Sequence, residues 1–121
     1  MPIFINMTNK INLGKRGEEM AANWLINQGY QIIERNLRLG NQEIDLIAKK
    51  LKLIIFFEIK TGNYTKHDLP LKASQQKNLK KAHEKYCQKY QVSPEITRFD
   101  LIIIIPKEGI ASLEHFKNLG V

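Results

Sequence analysis

Residues 53–60, Leu-Ile-Ile-Phe-Phe-Glu-Ile-Lys, run five apolar side chains together and then set Glu58 and Lys60 either side of Ile59. An unbroken β-branched and aromatic run of this length reads as a strand covered on both faces. Side chains alternate along a strand, so Glu58 and Lys60 share a face with Ile54 and Phe56. A carboxylate and an ammonium therefore emerge side by side where a buried strand runs out, an arrangement that stability alone does not ask for.

With 121 residues the chain is expected to form one domain, over residues 12–121, preceded by a flexible lead-in over residues 1–11. Apolar residues at 43% and charged residues at 26% fit an ordinary globular core. No apolar run exceeds five residues, which excludes a membrane-spanning helix. The first residues lack the basic start and apolar length of a signal peptide, and the single Cys87 has no internal partner, so a reducing cytoplasm is expected. One Cys and three scattered His give no thiolate zinc site.

The formal net charge is +7, and its distribution says more than its size. Between residues 66 and 89 stand Lys66, Lys72, Lys77, Lys80, Lys81, Lys85 and Lys89 against Asp68 and Glu84. Such a cluster suits a phosphate-facing surface. A solvated helix face explains it equally well.

Periodicity places a first helix over residues 12–28, with Leu13, Gly17, Met20, Ala21, Trp24 and Leu25 on its apolar face, Asn12 as cap and Gly29 just past the end. Gly14 and Gly17 are costly inside a helix, which points to close packing or to a start near Lys15. Strands follow over residues 30–38, 43–49 and 53–60, then a loop over 61–70 and a second helix over 74–90 that Ser93-Pro94 breaks. A buried strand over 99–105, ended by Pro106, and an edge strand over 110–116 complete the order α-β-β-β-α-β-β.

Register decides whether the charged strand end is a site. A two-residue loop at Leu51-Lys52 puts Asp45 opposite Glu58, whereas a one-residue slip sends Asp45 to the other face. Given the favourable register, Asp45, Glu58 and the backbone carbonyl of Ile59 supply a partial oxygen shell of the kind Mg²⁺ accepts. Such an ion polarises a phosphoryl oxygen and acidifies a bound water. Lys60 would orient or deprotonate that water, or hold charge on the phosphate; the base role requires a lowered pKa. A bare Glu-x-Lys triplet is common by chance, and a surface ion pair is the plain alternative. Glu18 is a third carboxylate if the first helix packs near the hairpin; as a helix-start acid it needs no such role. Gln75 and Gln76 open the basic helix. His67, His83 and His115 lack ligand spacing, Arg98 and Asp100 read as an ion pair where a strand begins, and Trp24 as core.

The ordered strings Gly14-Lys-Arg-Gly-Glu18-Glu-Met-Ala-Ala, Arg35-Asn36-Leu-Arg38, Glu43-Ile-Asp45-Leu-Ile-Ala48, Phe57-Glu58-Ile-Lys60-Thr61 and Arg98-Phe99-Asp100 resemble the YraN family of small bacterial endonuclease-like proteins. The resemblance spans about residues 12–118. It implies a PD-(D/E)XK, restriction-endonuclease-like α/β fold, distantly similar to archaeal Holliday junction resolvases, with a three-layer core and a mixed sheet of about five strands flanked by helices. It further implies Asp45, Glu58 and Lys60 as motif residues, Glu18 as the carboxylate of the first helix and Gln76 as the glutamine of the second. This chain departs from the pattern at Ile44 (usually Pro), Asn41-Gln42 (usually Gly), Gly62 (usually Arg) and Gln75 (usually Lys).

The expected activity is metal-dependent hydrolysis of DNA phosphodiesters with Mg²⁺ or Mn²⁺, on branched or structured forms. Arg35, Arg38, Lys66, Lys72, Lys77, Lys80 and Lys81 are expected to face the nucleic acid. A two-fold-symmetric substrate would call for a homodimer. A catalytically weak or inactive nucleic-acid-binding module is the alternative, motivated by Gly62 and Gln75. A structural or partner-binding domain with merely solvated charges is the third reading.

Overall fold

A computed structural model describes residues 2–4, 13–64 and 73–119. In chain order the elements are β1 (Pro2–Phe4), α1 (Leu13–Asn27), β2 (Gln31–Leu39), β3 (Gln42–Lys50), β4 (Leu53–Thr61), α2 (Ala73–Tyr90), a short 3₁₀ turn (Pro94–Ile96), β5 (Thr97–Lys107) and β6 (Ile110–Phe116). They build one sheet in the order β1-β6-β5-β4-β3-β2. Among the described strands only β4 and β5 run parallel, and the connection between them is the α2 crossover that parallel pairing requires.

The sheet is the middle of three layers. Ala21, Ala22 and Leu25 of α1 pack on Leu46, Ala48, Ile55, Phe57 and Ile59. Leu79, Ala82 and Tyr86 of α2 pack on Ile47, Phe56 and Phe99 from the other face. The alternation of β4 thus separates the two cores, with Phe56 under α2 and Phe57 under α1. The architecture expected from the sequence is the one observed, with one added strand. Within the stretch expected as a flexible lead-in, Pro2–Phe4 pairs antiparallel with β6, from Pro2 opposite Ser112 to Phe4 opposite Ile110. The outer side of β6 offers a row of unpaired backbone groups, which a short segment can satisfy.

A second correction concerns Pro106, which does not end β5: the strand continues to Lys107 and pairs with β6 up to the Glu108-Gly109 turn. In a two-residue hairpin the closing pair, Lys107 and Ile110, is hydrogen-bonded, so position 106 directs its nitrogen away from β6. On that side the pairing with β4 has already stopped at Thr61 and Ile104, and a missing N–H costs nothing. The expected cap Asn12, together with Lys66, His67, Pro70 and Lys72, lies outside the described residues.

Gly29 ends α1 as expected, at φ +93. The Tyr30 N–H donates to the Leu25 carbonyl at 2.9 Å and the Gly29 N–H to that of Ile26 at 3.0 Å, the two bonds of a Schellman cap. Gly17 is buried and serves close packing: a Cβ there would overlap Thr61 Oγ1 at the end of β4, with Ile104 Cδ1 at 3.6 Å, whereas Gly14 has nothing within 4 Å. Overpacking costs about 1–3 kcal/mol, against roughly 1 kcal/mol gained by removing a helical glycine. Gly17→Ala is therefore expected to lower stability in urea unfolding. Adding Thr61→Ala should restore most of the loss, because the overlapping oxygen is then gone; an unrestored double variant would refute this account of Gly17.

Candidate active site

The β3–β4 hairpin is closed by Leu51 and Lys52 alone, with Leu51 at φ +56, and pairs from Lys50 opposite Leu53 to Leu46 opposite Phe57. One more step would set Asp45 opposite Glu58, and there the ladder stops. Beyond it β3 stays with β2, through Ile44 opposite Leu37, while β4 stays with β5 up to Thr61 opposite Ile104. The two strands part like the arms of a V. In a continuing ladder the Ile59 N–H would donate to the Ile44 carbonyl; here it donates to Asp45 Oδ2 at 2.9 Å.

The β2 side is irregular at the same level. Asn36, the position facing Asp45, has φ +50, and the regular pairing of Arg35 with Leu46 and Leu37 with Ile44 skips it. Ile44 packs in the α2 core and Leu46 in the α1 core, although residues two apart on a regular strand share a face. The strand rolls over at Asp45, which aims its carboxylate into the gap. Asn tolerates the left-handed conformation better than other non-glycine residues. An asparagine amid strand-forming sequence is the signal for this irregularity.

Glu58 and Lys60 rise from the α2 side of the sheet, on the face of Phe56. Lys60 Nζ lies 3.2 Å from Glu58 Oε1, with the two side chains 24% and 15% exposed. Burial pushes the Glu58 carboxyl up to about 7, with the neighbouring Asp45 charge adding to the rise and Lys60 opposing it. Burial also raises Asp45, against the hydrogen bond from the Ile59 N–H and the charge of Lys60. The two carboxyls are hydrogen-bonded neighbours and repel when both are ionised.

Glu18 reaches the same acid from the opposite side. It lines a cavity of about 110 Å³ with Asp45, Asn36, Arg35, Lys15, Glu19 and Leu46. Its carboxyl is raised by burial and then by the Asp45 charge, while a hydrogen bond with Asn36 pulls the other way. Arg35 therefore sits at the acids, whereas Arg38 pairs with Glu43 at 3.5 Å and is mostly exposed. Gln76, Lys77, Lys80 and Lys81 lie on exposed positions of α2. His83 is half-buried and hydrogen-bonds Thr97 Oγ1 at 2.8 Å, which gives it a structural partner.

Among the described residues no three His, Cys, Asp or Glu side chains converge as a ready-made metal cage. The donor set nevertheless suits a hard divalent ion, since Mg²⁺ usually takes one or two protein carboxylates and keeps waters and substrate oxygens. Asp45 and Glu58 are adjacent, their mutual repulsion is the strain a cation relieves, and the Ile59 carbonyl faces the same gap because a strand residue turns its N–H and C=O to the same side. Asp45, Glu58 and the Ile59 carbonyl are thus the residues that could hold it.

The fold and the site define an α/β domain with a mixed three-layer core and an Asp, a Glu and a Lys at the mouth of a parted hairpin. The chain belongs to the family described as "Uncharacterised protein family UPF0102", which it matches over residues 17–104, and the resemblance to the YraN family is borne out by that match. It is 40% identical over 106 residues to a UPF0102 protein of Chloroherpeton thalassium, covering 85% of this chain and 82% of the relative. It is 37% identical over 115 residues to one of Caldicellulosiruptor saccharolyticus, covering 91% and 98%. A solved structure, Pyrococcus furiosus SfsA in complex with Ca²⁺, aligns with a TM-score of 0.44 at 17% identity, covering 91% of this chain and 64% of that one. Among the described residues no helix is long and apolar enough to cross a membrane.

Proposed function

We propose that the chain is a metal-dependent endonuclease acting on DNA, with Asp45, Glu58 and Lys60 as its catalytic residues. The observation that carries the reading is the parted hairpin: backbone pairing is given up at one point, and there two acids and a lysine are gathered. Asp45, Glu58 and the Ile59 carbonyl hold Mg²⁺ or Mn²⁺. When bound, the ion polarises a phosphoryl oxygen and acidifies a water. Lys60, fixed by Glu58 at the edge of the site, holds the charge that develops on the phosphate. Glu18 orients groups on the α1 side of Asp45 through the shared cavity, and Gln76 positions substrate or water from α2. The net charge of +7 and the lysines of α2, which packs on the face carrying Glu58 and Lys60, favour a polyanionic substrate.

Branched, flap and linear DNA incubated with Mg²⁺ or Mn²⁺ should be cut by the wild type. Asp45→Ala and Glu58→Ala should each lower the rate by at least ~100-fold, the scale of losing electrostatic stabilisation of a transition state. Cleavage that survives both substitutions in a clean preparation would refute the assignment. Salt-dependent binding without cleavage under any divalent ion would favour a binding module instead.

A further inference from the structure

The lysines of α2 are not spread evenly round the helix. Lys77, Lys81, Lys85 and Lys89 follow one another at intervals of four, all exposed, so they form a single slanted row. Like charges at this spacing destabilise a helix by about 0.2–0.5 kcal/mol per pair. The only acid in α2 is Glu84.

The lower end of that row meets the β2–β3 turn. A shallow, open cavity of about 440 Å³ is lined there by Arg38, Leu39, Gly40, Lys85, Gln88 and Lys89, with no acidic residue among those described. Lys85 is held in place across the gap: its Nζ donates to the Leu39 carbonyl at 3.5 Å and to Gln42 Oε1. Gly40 turns the chain at φ +62, a conformation that favours glycine, and Lys85 Nζ lies close over it. Arg38 guards one rim, with Glu43 3.5 Å away, and Lys89 the other, leaning on the Tyr90 ring at 5.4 Å.

We infer that this cavity is a phosphate subsite, in which Arg38, Lys85 and Lys89 grip the backbone of a nucleic-acid strand away from the cleaved bond. Three cations around a concave turn, one of them pre-set by two oxygen acceptors, match a phosphate oxygen better than they match a solvated surface. From Gln42 to Asp45 is three strand residues, about 10 Å. The gripped phosphate therefore lies within a few nucleotides of the scissile one. The inference rests on the endonuclease reading for that spacing and for the identity of the polyanion.

The test separates the two. Binding of a labelled 20-nucleotide single strand and of a duplex is measured by fluorescence anisotropy in chelator, where nothing is cut, across a salt series. Arg38→Gln with Lys89→Gln should lower the log–log salt slope by about two, one unit per lost phosphate contact. The control Lys49→Gln with Lys52→Gln removes equal charge at the far end of the sheet and should leave the slope near that of the wild type. If both pairs change the slope alike, or neither does, the subsite is refuted, even where Mg²⁺-dependent cutting survives. A lowered slope in the first pair alone sustains the subsite, even where no cutting is seen. A pair that loses binding to anionic phospholipid vesicles while keeping its DNA slope would also overturn the inference.

Discussion

Asp100→Ala is expected to lower the unfolding free energy by about 3–5 kcal/mol, the scale set by breaking a buried ion pair from one side. Asp100 is 1% exposed. Its carboxylate accepts Arg98 Nε and Nη2 at 2.8 Å each, His115 Nε2 at 2.7 Å and the Asn118 N–H at 3.0 Å. One side chain thereby ties β5 to β6 and to the segment after it, where the Leu119 N–H also donates to the Phe99 carbonyl at 2.9 Å. His115 in turn lies among the rings of Trp24, Tyr30 and Phe57, so the network reaches α1. Burial alone would raise the Asp100 carboxyl; the hydrogen bonds from His115, Arg98 and Asn118 outweigh it and hold the group below the usual carboxylate range. A depressed folded value stabilises above the unfolded value of 3.8 and is lost as pH falls through the folded one. The wild type should therefore lose this contribution only in strong acid, and the variant should lack it at every pH. Urea unfolding at pH 7 and pH 3 measures both. A triple variant Arg98→Met, Asp100→Leu, His115→Phe should lose less than Asp100→Ala, because no buried charge is left without a partner. A single variant as stable as the wild type would show that the network is solvated in solution.

Residues 53–60 could be read from the sequence because a strand buried on both faces has an unmistakable composition, and the short Leu51-Lys52 loop left few registers for its partner. Both helices were legible for a similar reason, down to Gly29 at the end of α1. What could not be read depends on contacts far apart in the chain. Arg98 and Asp100 were visible as a pair, yet His115 and Asn118, which make the pair a staple, come from a different strand and the segment beyond it. Pro106 misled because a proline ends a strand only where its nitrogen faces a partner, and that depends on two pairings at once. The candidate site followed the same division. The register condition on Asp45 and Glu58 could be stated beforehand, but the end of the ladder at Leu46 and Phe57, with Asp45 taking a backbone N–H for its own carboxylate, could not. Lys85 and Lys89 were counted in a basic run without a role, since only the turn at Gly40 sets them apart from the other lysines of α2.

Glu58→Gln should separate what the site costs from what it does, abolishing cleavage while making the metal-free protein more stable at pH 8. The Glu58 carboxyl titrates near 7 in the folded chain against an ordinary 4.5, so the folded state holds its proton the more tightly. A raised value contributes stability that is full below 4.5 and disappears as pH rises through about 7. Raising the carboxyl from 4.5 to about 7 corresponds to roughly 3 kcal/mol, shared with Asp45. Glutamine keeps the shape without the charge. Wild type and variant should therefore unfold alike near pH 4 in chelator and diverge steadily towards pH 8, the variant being about 2 kcal/mol the more stable there. Lys60, deprived of its 3.2 Å partner, is already partly exposed and gives back little of that gain. Added Mg²⁺ or Mn²⁺ should reverse the order. A ligand that binds only the folded state stabilises it according to its concentration over its Kd, and the wild type alone has both carboxylates to offer. Melting curves at pH 8, with and without the ion, decide it: a wild type that gains no stability from either metal, or a variant that gains as much, would remove Glu58 from the metal site. If the variant instead proves less stable than the wild type in chelator at pH 8, the Glu58–Lys60 pair contributes more than burying the carboxylate costs, and repulsion between Asp45 and Glu58 is not the strain a cation would relieve.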